Sequence, residues 1–421
     1  MPQDQPSTAP YRQPAPRGWR RLPFVAVFGP GLLVMLADTD VGSIVTAGQS
    51  GMQWGYRLLP LQLLLIPVLY IVQELTVRLG IFTRRGHGEL IRSIFGPVWA
   101  LVSAAGLVVA TAGALLTEFS GVAGVGDLFG VSRGITLPLA ATALLAIGLT
   151  GSYRRAERAA IVIGLFELAF FGVAWAARPG MAAVMAQSLD LPLGNPGFRY
   201  LVAANIGAVV LPWMVFYQQS AVADKGLGPE HYMAARLDTA VGAVIAQLVM
   251  AAVLIAAAAT MAPGEASASL GSVGALSKAL TPFLGEQTGR MVFGLGALGA
   301  ALVAAIVSSL GLAWGLGELA GYRRVLEDHP LRARWFSAVY AVCVTAGALA
   351  VGIAPDLVSL NVGVQVMNAL LLPMVLGLLI RLAMVALPPE RRLRGWYLWL
   401  VLAVSGITAL LGVAGALTSG G

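Results

Sequence analysis

Apolar residues in this chain neither alternate nor keep to one helical face; they run together in blocks of about 20, the length that crosses a bilayer as a helix. Eleven such blocks can be marked, near residues 22–48, 57–81, 97–122, 134–151, 159–178, 198–222, 237–262, 289–318, 334–353, 356–382 and 394–417. They are too long for core strands, so the pattern predicts an all-α polytopic membrane protein with eleven transmembrane helices. Two of the blocks are interrupted. The first carries Gly29-Pro30-Gly31 at its start and the polar run Asp38-Thr39-Asp40-Val41-Gly42-Ser43 in its middle. The sixth carries Pro212, which removes a backbone donor and frees the carbonyl one turn earlier. The breaks fall at corresponding places if the chain holds two inverted five-helix repeats, 21–180 and 181–385, preceded by a tail over 1–20 and followed by an additional span in 386–421. Freed backbone groups inside a bilayer are tolerated only where they line a cavity or hold an ion.

Composition agrees with this reading. The 421 residues are 58% hydrophobic and 11% charged, far from the quarter-charged balance of a soluble domain. The tail is rich in Pro, Gln and Arg with no apolar stretch, which predicts disorder and a retained first span instead of a cleaved signal peptide. Cys343 is the only cysteine and sits in an apolar block, so a disulfide framework is excluded. The basic balance of +7 does not point to nucleic acid, because the charges are scattered through short loops. If the amino terminus is cytoplasmic, only Arg57, Arg133, Arg178, Arg199, Lys278 and Arg290 of the 27 Lys and Arg fall on the outer side. That bias predicts an amino terminus inside, a carboxyl terminus outside, and a multi-pass protein of a bacterial inner membrane.

A carboxylate near the centre of a membrane helix costs roughly 2.5–3.5 kcal/mol, and Asp38 and Asp40 sit two residues apart in the first span. No Lys lies inside a span and no Arg at midplane, so a cation arriving from solution is the natural partner. Unwound backbone adds carbonyl oxygens, hard ligands for a hard ion. The competing reading of Asp40 and Ser43 is that they cap the second half of the broken helix; for Asp38 it is a position facing a watery vestibule. A sodium-coupled amino-acid transporter is a rival, although two aspartates would repel a substrate carboxylate. An intramembrane Mg2+-dependent transferase would need clustered acids with basic phosphate clamps, which this chain lacks.

The stretch from Gly29 to Gly80 and the segment GAVVLPWMVFYQQSAV at 207–222 resemble the Nramp family of divalent-metal transporters, most of all its magnesium-transporting branch. The resemblance implies a LeuT-like fold of inverted repeats, alternating access, no resident cofactor and a monomer in the lipid bilayer. The family's span-1 signature Asp-Pro-Gly-Asn reads here Asp40-Val41-Gly42-Ser43. In span 6 the family's metal-binding carbonyl matches Ala208, and its methionine sulfur falls at Leu211. Loss of that soft ligand, with Asp38 added, implies Mg2+ as the main cargo with Mn2+ carried too. The family's span-6 histidines fall at Trp213 and Gln218, which implies transport without proton coupling. The segment TEFSG places Glu118 where the family has a proton-path glutamate, equally suited to the water shell of an ion. In span 10, where the family supplies an amide, Asn361 and Gln365 are the candidates. His87, His231 and His329 are expected to be solvated loop residues, and Glu167 and Asp238 are membrane-embedded acids without an assigned role.

Overall fold

The protein is seen here as a computed structural model that describes residues 29–149, 153–259, 285–321, 334–353 and 358–418. The first span is two helices, α1 (Pro30–Asp38) and α2 (Val41–Trp54), parted at Thr39 and Asp40. A 3-10 turn at Gly55–Leu58 leads into α3 (Leu59–Thr83), then α4 (His87–Phe95), α5 (Pro97–Leu128) and α6 (Arg133–Gly148). The fifth block is α7 (Tyr153–Gly164) and α8 (Ala169–Ala177) joined by a 3-10 turn, and α9 (Met181–Ser188) links it to the second half. There the sixth block is again two helices, α10 (Pro196–Val209) and α11 (Pro212–Asp224). The remaining helices are α12 (Tyr232–Ala258), α13 (Glu286–Ala320), α14 (Arg334–Ile353), α15 (Val358–Val385) and α16 (Gly395–Thr418). The described residues contain no strand.

Both expected breaks are present, and each is made by local chemistry. Asp40 leaves helical geometry, and its carboxylate accepts from the Ser43 N–H at 2.6 Å, starting α2 as an N-cap. Val210 and Leu211 are extended, and Pro212 opens α11 at the position where a missing N–H costs nothing. Nine stretches among the described residues are long and apolar enough to cross a membrane; one of them, Val41–Thr83, joins α2 to α3, and Arg133–Gly148 is shorter than that length. Two connections read as loops are helical instead: α4 and α9 are each too short to register in a span-length window. Cys343, in its apolar block, is half-buried and free.

The broken pair α10–α11 lies at the centre, 89% of its most apolar window being buried, against 22% for α14 and 28% for α16. Leu101, Trp175, Leu349 and Trp396 are exposed on the outer helices, the surface an all-helical protein presents to lipid. Close approach at the centre depends on Gly207, where a Cβ would strike the Gln365 carbonyl and the Ala369 amide of α15. At the end of α3, fully buried Glu74 pairs with Arg78 at 2.8 Å and accepts from the Tyr232 and Tyr397 hydroxyls. That network ties α3, α12 and α16 together at one end of the bundle.

Candidate functional site

α1 and α10 both end in the interior, so the partial negative charge of two helix C-termini gathers where the breaks meet. The Ser43 hydroxyl donates to the Ala208 carbonyl at 3.4 Å, linking break to break. Gln365 Nε2 donates to Asp40 Oδ1 at 3.3 Å, bringing α15 to the same point. The fit requires Gly42, because a Cβ there would fall on the Gln365 amide. Asp40 is therefore a cap, as the competing reading held, through one oxygen of its carboxylate. Asp38, 2% exposed, faces the other way: Gln247 Nε2 donates to its Oδ2 at 3.3 Å, and its Oδ1 has no hydrogen-bond partner.

A cavity of about 10 Å³ lies beside Asp38. Its polar lining is Asp38, Ser43, Gln62, Asn205, Gln247 and the Ala208 residue that carries the freed carbonyl. Val209 and Met250 complete it, so a methionine lines the site from α12 although Leu211 has replaced the expected one in the sixth span. Among the described residues no three His, Cys, Asp or Glu side chains are grouped to hold an ion by themselves. The oxygen donors on offer are one carboxylate with amide, hydroxyl and backbone groups, a hard set, and the Met250 thioether is the soft group among them.

The other sequence candidates are placed as follows. Leu211 is fully buried and precedes α11. Asn361 exchanges hydrogen bonds with Ser120 of α5 at 3.1 and 3.2 Å and does not line the cavity. Trp213 is fully buried with its indole N–H unpartnered, while Gln218 accepts from Thr76 at 2.8 Å and donates to Thr239 at 2.9 Å. Glu118 accepts from the Val41 N–H at 3.3 Å and the Thr117 hydroxyl at 3.0 Å. A proline at position 41 would have no such N–H, so the departure from the family signature supplies Glu118 with a donor.

Sequence reasoning passed over Gln62, Gln247 and Met250, and named Glu167 without giving it a role. Glu167 is fully buried, accepts from the Thr39 hydroxyl in the first break, and lies within Coulombic range of Glu118, Asp40 and Asp38. The available signal was the isolated polar residue in an apolar run, as Gln62 is among leucines and Gln247 among alanine, leucine and valine.

The histidines need a correction. His87 is not a solvated loop residue but opens α4 with 1% exposure, its Nδ1 2.9 Å from Gln219 Oε1 and its ring edge-on to Phe216. His231 is partly buried at the start of α12, and His329 lies outside the described residues. Burial pushes the His87 imidazole down to about 4, so it is neutral in the folded protein near pH 7. The unfolded chain takes up this proton near 6.5, so the contribution is intact above that pH and is lost as pH falls toward 4, to about 3 kcal/mol. Melting of purified protein between pH 7 and 4 checks this. His87→Gln is expected to shed part of the acid sensitivity, and an unchanged pH profile would show that the ring takes up its proton as readily in the fold as in the unfolded chain.

Comparison with known proteins gives consistent likenesses. The family model described as natural resistance-associated macrophage protein-like, Nramp, matches residues 31–418. The divalent metal cation transporter MntH of Aeromonas hydrophila is 29% identical over 299 residues, 68% of this chain and 72% of that protein. The protein of the same name from Yersinia pestis is 32% identical over 301 residues, 68% and 71% of the two chains. Among solved structures, the Eremococcus coleocola manganese transporter superposes with a TM-score of 0.74 at 19% identity, covering 94% of this chain and 87% of that one. The nucleobase-cation-symport-1 transporter MHP1 does so at 0.56 and 16%, covering 93% and 90%. The fold is the LeuT-like one that these transporters share.

Proposed function

The chain belongs to the Nramp family, and from that premise we propose that it carries divalent metal cations, mainly Mg2+ and also Mn2+, by alternating access and without proton coupling. Membership in a transporter family sets aside the intramembrane transferase. The observation that carries the reading is the meeting of both helix breaks and α15 through Ser43, Ala208, Asp40 and Gln365. Asp38 on the cavity and Asp40 in the adjoining break supply charge, the Ala208 carbonyl and Ser43 supply neutral oxygens, and Gln365 holds Asp40 in place through its amide N–H. An oxygen-rich set suits Mg2+, and Met250 brings a thioether to the cavity wall that keeps Mn2+ among the substrates. Leu211 removes the sulfur from the sixth span, which relaxes discrimination against Mg2+. Neither Trp213 nor Gln218 titrates near neutrality, and His87 is held neutral, so the histidine route for protons is missing. The same reading keeps eleven spans in two inverted repeats, with the amino terminus inside a bacterial inner membrane and a monomer as the working unit.

Uptake into proteoliposomes carrying an internal pH dye tests it. Both Mg2+ and Mn2+ are expected to enter without acidification, whereas Mn2+ entry with acidification and no Mg2+ entry would return the protein to the proton-coupled branch. In the same assay Leu211→Met should raise the Mn2+ to Mg2+ ratio several-fold, about the effect of one soft ligand. An unchanged ratio would take position 211 out of the ion's path.

A further inference from the structure

The short helix α9 is built the reverse way from a helix on a water-facing surface. It joins the end of one span-length stretch, Glu157–Ala177, to the start of the next, Pro196–Asp224, so it sits at one boundary of the membrane. From Pro179 to Leu189 the sequence holds no charged residue. The polar side chains of this stretch turn toward the protein. Gln187 Oε1 accepts from the Tyr56 N–H at 2.9 Å, and the Ser188 hydroxyl donates to the Tyr56 carbonyl at 3.4 Å. Val184, one turn earlier, packs on the core from the same side. The outward face is apolar: Met181 is 67% exposed, Met185 66% and Leu189 86%, at spacings of four that align them. A helix lying against water has these two faces exchanged.

What covers the apolar face follows from where it lies. Arg178, Pro179 and Gly180 are all that separates α8 from α9, so α9 starts within about 14 Å of the last turn of α8. Trp175 in that turn is 80% exposed on the surface the bundle gives to lipid, and an indole at the end of a span marks the headgroup level. The methionines of α9 are thus held at the depth where lipid begins. A stable contact with a second copy would need about 800 Å² on each partner, which an eight-residue helix about 12 Å long does not supply by itself.

We propose that α9 is an interfacial helix that docks on the lipid bilayer through Met181, Met185 and Leu189, and that this seating holds the end of α2 far from the Asp40 break. An interfacial helix lies in the membrane plane with its apolar face at the boundary of headgroups and acyl chains. Here the opposite face grips the turn that ends α2. Both backbone groups of Tyr56 are taken by α9, and Arg57 pairs with Asp190 at 2.8 Å just beyond it. The approach is close enough to require Gly55, which has a φ of 60° and where a Cβ would strike Gln187 Oε1. The helix that carries the first break is therefore fixed at its far end by an element seated in lipid.

Spin labels test this in the full-length protein. Met181→Cys or Met185→Cys, each made with Cys343→Ala, carries a nitroxide in liposomes of phosphatidylethanolamine and phosphatidylglycerol. Its relaxation by oxygen, which concentrates in lipid, is compared with relaxation by a water-soluble nickel chelate. Glu230→Cys, from an exposed side chain, is the water reference, and Leu349→Cys, 67% exposed on α14, is the lipid reference. Both α9 labels are expected to show an oxygen-to-nickel ratio several-fold above that of position 230. Met185→Asp should lower the ratio at position 181 several-fold, because a carboxylate does not settle among acyl chains. Met181→Asp with Met185→Asp should also make a label at Gln53→Cys, in the last turn of α2, more mobile. A ratio at the level of position 230 overturns the proposal, as does a position-181 ratio unmoved by Met185→Asp, and an unchanged Gln53→Cys spectrum overturns the hold on α2. Dipolar broadening between α9 labels that disappears on dilution with unlabelled protein gives the face to a second copy and overturns it too. No ion movement enters these readouts, so their result stands apart from that of the uptake assay.

Discussion

Asp40→Ala is expected to lower divalent-metal uptake by about 100-fold or more in protein that still folds. The size follows from what the carboxylate does. Outer-sphere partners of a metal site cost 10–100-fold when removed, and a charged ligand costs at least as much. The complication is that Asp40 also caps α2 through the Ser43 N–H at 2.6 Å, and loss of a cap costs about 0.5–2 kcal/mol. Asp40→Asn separates the two roles. Asparagine caps as well as aspartate, so this variant should melt near the wild type and still fail to transport. Radiolabelled Mn2+ uptake, normalised to reconstituted protein, decides the matter. Wild-type uptake by Asp40→Asn would reduce the residue to a cap and move the ion elsewhere in the break.

Much of this arrangement is legible in the amino-acid sequence. A proline in an apolar run frees a carbonyl four residues earlier, so Pro212 pointed to Ala208, and paired acids within a span pointed to Asp38 and Asp40. The direction each acid takes was not legible. Thr39 and Asp40 leave the helical path, and a break of that kind resets the angular phase, so that Asp38 turns toward α12 while Asp40 turns toward α15. Periodicity reports a face, not a neighbour. Gln247 meets Asp38 across 209 positions of sequence, and Glu167 meets Thr39 across 128, distances at which local pattern carries no information. His87 was misread for a related reason: four apolar residues in a nine-residue helix do not register in a window tuned to spans, and the helix that buries the ring went unseen. Of the charges in the positive-inside count, Arg12, Arg17, Arg20, Arg21, Lys278, Arg323, Arg324 and Arg332 lie outside the described residues.

Asp238→Ala is expected to destabilise the protein by about 3–5 kcal/mol, the largest stability effect in the broken-helix region. The acid had no role in the sequence, yet its carboxylate holds the start of α1 from the second turn of α12. Asp238 Oδ2 accepts from the Gly29 N–H at 3.2 Å and the Gly31 N–H at 2.8 Å, and Oδ1 accepts from the Leu32 N–H at 3.2 Å. Pro30 has no N–H to offer, so one side chain serves every amide donor from Gly29 to Leu32. Each buried amide left without a partner costs about 1–3 kcal/mol, and a bilayer provides no water to compensate. Asparagine keeps one accepting oxygen and should fall between wild type and alanine. Gly31 offers a control of different origin, because a Cβ there would lie 2.7 Å from Asp238 Oδ2 and 2.9 Å from both the amide nitrogen and the hydroxyl oxygen of Thr239. Gly31→Ala should therefore lower the melting temperature in the wild type and cost less in Asp238→Ala, where only the Thr239 clash is left. Fully additive losses would mean that the carboxylate and the glycine act separately, and that α1 is anchored by its packing instead of by the carboxylate that caps it.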